Sequence, residues 1–247
     1  MFNKVVKKIS NIYFPSVEVG LNNQKNRVAW LENTLQKIPK GSRILDAGAG
    51  EQQFKKFCTH LNYVSQDFAQ YYPDELNLGL QMESWDYGKL DIISDIAAIP
   101  EDNESFDVIM CTEVFEHIIN PREAIIEFAR LLKKDGILII TAPFCSLTHF
   151  APYHFYSGFN KFFYQTDLTA NGFKITEVTA NGNYFEYIGQ EIYRTTDIAN
   201  KYANSKPTRI EKIGIKIILK MLNRFSQKDN NSAELLNFGY HVVASKL

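Results

Sequence analysis

Asp46-Ala47-Gly48-Ala49-Gly50 is the run in this chain whose residue types most directly imply chemistry. An acid ends what reads as a strand, and two glycines one residue apart follow. The backbone can then turn tightly and present main-chain amides to a ligand with no Cβ in the way. A nucleotide-like cofactor suits such a cradle, although a GxG after a strand also fits dinucleotide-binding folds and purely structural turns. The third glycine of GxGxxG is missing, and an acid directly before the turn would repel a pyrophosphate, so the run favours a cationic ligand.

Two further acids extend the pattern. Asp67 closes the next strand, where a carboxylate can accept hydrogen bonds from two adjacent ribose hydroxyls. After a third strand, Asp95-Ile96 offers an acceptor for an exocyclic amine and an apolar flank for a purine face. Acids at three successive strand ends converge at the carboxyl edge of a parallel sheet. For proton transfer, histidine is the side chain that titrates near neutrality, and His117, His149 and His154 are the candidates. His149 and His154 lie among aromatics and prolines between Pro143 and Tyr156, a composition that fits a shaped pocket wall or plain packing. Glu113-Val-Phe-Glu116-His117 is expected to place both glutamates and the histidine on one side of a helical turn. A downstream histidine there could complete a divalent-metal site, or the helix could simply border the cofactor.

These residues need strands and helices to hold them. Asn22 to Lys37 is apolar at helical spacing and is stopped by Pro39-Lys40-Gly41. Strands are expected at 43–47, 63–66, 91–94, 106–111 and 137–141, with helices at 51–60 and 121–134 between them. Strands alternating with helices imply right-handed crossovers and a parallel sheet. The stretch 68–90 is aromatic and interrupted by Pro73, Gly79 and Gly88, and reads as a long ordered loop, either a surface excursion or a wall over the site. Later come a helix at 160–170, strands at 172–179 and 238–245, and two helices at 184–202 and 207–225.

Composition bounds the function. The 247 residues are 45% apolar with a net charge of -1, which excludes a disordered or fibrous chain and gives no global attraction to nucleic acid. Cys58, Cys111 and Cys145 are an odd number without CxxC spacing, as expected of a reducing compartment. No apolar stretch approaches a membrane span and lysines interrupt the first ten residues, so the expected location is cytoplasmic. One domain is expected over 1–247, with a core at about 22–182 and 236–247 and a helical insertion at about 183–235.

From Arg43 to Pro143 the sequence resembles the class I S-adenosylmethionine-dependent methyltransferases, in particular the broad small-molecule group that includes the ubiquinone-biosynthesis type. The resemblance rests on ILDAGAG, the acid at Asp67, SDIAAIPEDNESFDVIMCTEVFEHI and FARLLKKDGILIITAP. It implies a Rossmann-like, doubly wound α/β fold with a seven-stranded, mostly parallel sheet and one antiparallel strand, here with the C-terminal helical insertion. It implies S-adenosylmethionine as cofactor, with Asp46, Gly48 and Gly50 lining the methionine moiety, Asp67 holding the ribose, and Asp95 and Ile96 flanking the adenine. Gln52 departs from the family by replacing its frequent last glycine. The ExxEH string is similar to a metal-binding pattern in some ubiquinone-type and RNA 2′-O-methyltransferases.

The expected function is methyl transfer to an oxygen or nitrogen of a small-molecule or glycan-type acceptor, with His154 and His149 as catalytic candidates. A non-catalytic cofactor-binding or scaffolding module on the same fold is the alternative, and a nicotinamide oxidoreductase is disfavoured by the missing glycine. Between Lys206 and Lys228, seven basic residues face one acid, Glu211, on a chain that otherwise carries 20 bases and 27 acids. This stretch is expected to be a solvated basic helix, or a weak docking element for anionic lipid or a partner, helped by Lys4, Lys7 and Lys8.

Overall fold

The computed structural model describes residues 17–73, 78–81 and 84–247; Lys4, Lys7 and Lys8 lie outside the described residues. These fall into two compact units, one of residues 27–180 and 239–247, the other of residues 17–26 and 181–238.

The first unit carries the sheet. Its strands are β1 (Arg43–Ala47), β2 (Asn62–Asp67), β3 (Ile92–Ile93), β4 (Phe106–Thr112), β5 (Leu132–Pro143), β6 (Phe173–Asn181) and β7 (Gly239–Lys246), in the order β3-β2-β1-β4-β5-β7-β6. β1 to β5 pair in parallel, while β7 runs antiparallel to β5. Strand alternation sorts the core onto two faces. Leu45, Ile109, Cys111, Leu138 and Ile140 pack with Phe128 of α2 (Pro121–Leu131) and Leu168 of α3 (Lys161–Ala170). Ile44, Val108, Met110 and Ile139 face the other way, onto Leu31 and Leu35 of α1 (Asn23–Leu35). Because strand order reverses between β1 and β4, the crevice outside their carboxyl ends is where such sheets bind ligands.

Three local expectations are corrected. Residues 51–60 form turns and a short 3-10 segment, Lys55–Phe57, rather than a helix. Gln52 takes a left-handed φ of 56°, which a right-handed helix cannot accommodate. The helix expected at 121–134 stops at Leu131, because Leu132 pairs with Phe106 and begins β5. The helical turn expected from Glu113 is absent, since Glu113 has φ 55° and only Phe115–His117 winds, as a 3-10 turn.

The second unit is built around α4 (Tyr184–Tyr202), capped by Asn183, and α5 (Arg209–Ser226), whose Thr208 and Glu211 form a reciprocal capping box. Leu219 and Leu222 of α5 bury with Val19 against Phe185, Ile188 and Ile192.

Candidate functional site

The glycine turn leaves β1 and folds back on β2. The amides of Gly48 and Ala49 both donate to the Gln66 carbonyl, at 2.9 and 2.8 Å, and the Gly50 amide donates to Asp67 Oδ2 at 2.9 Å. Gly48 sits at φ +76°, and a Cβ there would lie 2.5 Å from Val114 Cγ2. Gly50 sits at φ +49° with the Trp85 ring against it. Only glycine meets both demands. Asp46 is buried. Its Oδ2 accepts from the Tyr63 hydroxyl at 2.6 Å, while Oδ1 has no hydrogen-bond partner. Burial raises its pKa to about 7 against the opposing Tyr63 bond, and the Asp67 charge adds to the rise. Asp67 is also raised by burial, although the amides of Ala69 and Gly50 hold its carboxylate. Asp95 is exposed, accepting from the Ala97 amide at 2.9 Å, beside buried Ile96.

The described part of the 68–90 loop walls this turn. Trp85 meets Tyr71 and Phe150 edge to face, at centroid distances of 5.7 and 4.9 Å, and Tyr71 stacks on Phe150 at 4.3 Å. Leu80 bonds the backbone of Thr148 and Phe150, tying the wall to the segment that carries the histidines. Gln52, at the position where the family often has glycine, takes the left-handed conformation anyway and spends its amide on the carbonyls of Tyr87 and Lys89.

Beyond β4 and β5, Glu116, His117 and His149 converge. Their ligand-capable atoms all lie within 4.8 Å of one another. Glu116 Oε1 is 3.6 Å from His117 Nε2 and 3.9 Å from His149 Nε2, while the buried Oε2 has no partner. Nδ1 of His117 lies 2.6 Å from the Tyr153 carbonyl, and Nδ1 of His149 lies 2.8 Å from the Leu147 carbonyl. A carbonyl only accepts, so each Nδ1 carries the proton and each Nε2 presents a lone pair toward Glu116. Burial, with the neighbouring His149 adding to it, lowers the His117 pKa to about 3, and burial pushes Glu116 well up. His154 adjoins the group, its ring 4.9 Å from His149, with Nε2 3.1 Å from Ser146 Oγ. Since Ser146 already donates to the Ser157 carbonyl, Nε2 carries the proton and Nδ1 is the basic nitrogen. Glu113 stands apart, bonded to Arg27 at 2.8 Å and Thr141 at 2.9 Å.

A family model described as a methyltransferase domain matches residues 23–178. The chain belongs to the S-adenosylmethionine-dependent methyltransferase family. Over 40 residues it is 50% identical to the ubiquinone biosynthesis O-methyltransferase of Glaesserella parasuis, a match covering 16% of this chain and 17% of that protein. Among solved structures, phosphoethanolamine N-methyltransferase 2 of Haemonchus contortus, in complex with S-adenosyl-L-methionine, aligns with a TM-score of 0.50 at 17% identity, over 90% of this chain and 52% of the other. The [4+2]-cyclase SpnF aligns at 0.52 with 16% identity, over 88% of this chain and 80% of the other, so the fold by itself does not fix the chemistry.

The residues present fit the methyltransferase cofactor. The two buried acids beside the turn, one with an unpartnered oxygen, would be relieved by a positive ligand. Each Asp67 oxygen takes one amide and keeps a lone pair for a ribose hydroxyl. Sequence reasoning missed Tyr63 as the partner of Asp46 and Arg27 as the partner of Glu113. The first was within reach, since the register Ile44↔Tyr63 and Asp46↔Ser65 sets Tyr63 on the same face as Asp46. The second left no local signal, because 86 positions separate Arg27 from Glu113.

Proposed function

We propose that this methyltransferase acts on a hydroxyl oxygen of a small-molecule or glycan-type acceptor held beside the Pro143–Tyr156 segment. The observation that carries the reading is the convergence of Glu116, His117 and His149 within 4.8 Å. Three lone-pair donors facing one another at that range repel unless a proton or cation lies among them. Two neutral imidazoles and a carboxylate are a donor set for a divalent metal, and ligands bound at about 2.1 Å to one ion stand roughly 3–4 Å apart. A divalent cation held there would supply Lewis-acid polarisation, making an acceptor hydroxyl easier to deprotonate. Glu113 is outside the set, committed to Arg27 and Thr141.

S-adenosylmethionine, when bound, supplies an electrophilic methyl group on a sulfonium. The chain's own work is then alignment, exclusion of water and handling of one proton. The turn and Asp67 hold the donor side, and the Tyr71–Trp85–Phe150 wall keeps water off both. His154 takes the acceptor proton at Nδ1, the nitrogen left basic by the Ser146 bond.

Release of S-adenosylhomocysteine across a panel of hydroxylated and amine acceptors tests this. Hydroxyl compounds should be turned over, activity should fall on chelation and return with Mg²⁺, Mn²⁺ or Zn²⁺, and elemental analysis should find metal on the wild type but not on His149→Ala. Preference for amines, or full activity after chelation, contradicts the reading.

A further inference from the structure

We propose that α5 docks on the surface of an anionic lipid bilayer, through the face it turns away from α4. Leu219 and Leu222 are buried and Ile215 half-buried against α4 and Val19, which fixes the inward side of the helix. At about 100° per residue, Ile210, Ile217 and Met221 fall within about 40° of one another on roughly the opposite side, and Ile218 extends that stripe, whereas Phe225 packs on Phe185 of α4 at 5.5 Å. All four residues of the stripe are exposed, from 82% for Ile210 to 39% for Met221. Gly214, on the same stripe, has nothing within 4 Å of where a Cβ would stand. An inward face is satisfied by α4, so a second apolar stripe, facing outward, has no role in holding the helix pair together.

Charge selects the occupant. Arg209, Lys212, Lys216, Lys220 and Arg224 run along one flank of the outward stripe, between it and the buried face. The only acid from 206 to 228, Glu211, is taken up at the helix N-terminus, where Oε2 accepts from the Thr208 amide and hydroxyl at 2.6 and 2.8 Å. An apolar stripe edged by cations is complementary to acyl chains edged by anionic headgroups, with lysine and arginine stems reaching outward to the phosphates. An antiparallel two-fold pairing of this face with a second copy would instead bring two basic flanks together. Among the described residues no helix is long and apolar enough to cross a membrane, so α5 would lie in the interface plane.

Co-sedimentation of the full chain with vesicles tests the proposal, comparing phosphatidylcholine alone with phosphatidylcholine containing phosphatidylglycerol. The proposal expects pelleting with the anionic vesicles only, falling at least severalfold between low and high salt. Two variants that leave the inward face intact should each reduce pelleting about tenfold while keeping the wild-type circular dichroism spectrum and melting curve: Lys212→Glu with Lys220→Glu, and Ile217→Ser with Met221→Ser. Absence of pelleting with anionic vesicles overturns it, as does equal pelleting with neutral vesicles. A concentration-dependent dimer in light scattering, abolished by the isoleucine and methionine changes without any lipid binding, would assign the face to a second copy and also overturn it.

Discussion

At Gly48 two constraints act on one atom. The left-handed φ of +76° disfavours any L side chain, and Val114, a stiff β-branched residue, stands 2.5 Å from the position of a Cβ. Gly48→Ala is therefore expected to weaken S-adenosylmethionine binding at least tenfold and to lower the melting temperature, both measurable by calorimetry. In the proposed reaction His154 serves the acceptor half. Its removal takes away a proton acceptor, so His154→Ala should lower turnover by about 10²-fold or more, within the usual range for a general base, and leave cofactor affinity unchanged. Steady-state kinetics beside a binding isotherm separates the two quantities, and equal turnover would remove His154 from the reaction. The glycine turn was legible because its residue types are dictated by backbone geometry close by in sequence. Glu113 was not legible, since its left-handed φ detaches it from the ExxEH spacing and hands it to Arg27.

Elements were legible where one strong pattern decides them. The helix at Tyr184–Tyr202 lies where its periodicity places it, and α3 begins after an Asn160 cap whose side chain accepts from two amides. Misreadings fell where a long-range demand outweighs local preference. Lys133 and Lys134 follow a helical stripe, but pairing of Leu132 with Phe106 converts them to strand. The apolar residues Phe54, Cys58 and Leu61 suggest a helix, yet the left-handed Gln52 breaks it while the same side chains still reach the core. At the start of α5 the local signal and the structure agree, because Thr208 and Glu211 satisfy each other's backbone. Thr208→Ala should cost about 1 kcal/mol, seen as a melting temperature lower by about 2–4 °C for a chain of this size.

Across the molecule, stability should depend on pH through buried groups. His241, stacked on Trp30 at 4.7 Å, has its pKa lowered to about 4 by burial, with the Arg27 charge contributing. Its unfolded value is near 6.5, so as pH falls the unfolded chain binds the proton first. The stability from neutral His241 is whole above about pH 6.5 and is lost as pH falls toward about 4. His241→Phe keeps the stacking and removes the titration, so thermal melts between these limits should show a shallower decline for the variant; parallel curves would show that His241 does not contribute. At this scale the sequence carried the seven strands, because short apolar and β-branched runs announce them wherever they fall, while the late antiparallel pairing was implied by the family resemblance. It carried only the possibility of a downstream histidine beside Glu116 and His117; that His149 is the one follows from the return of the 143–160 segment over the strand ends. Titration calorimetry of the purified protein with S-adenosylmethionine, and with S-adenosylhomocysteine, tests the cofactor cradle most directly. One-to-one binding of both, weakened at least tenfold by Gly48→Ala, is the predicted result; no heat of binding from either ligand would contradict it.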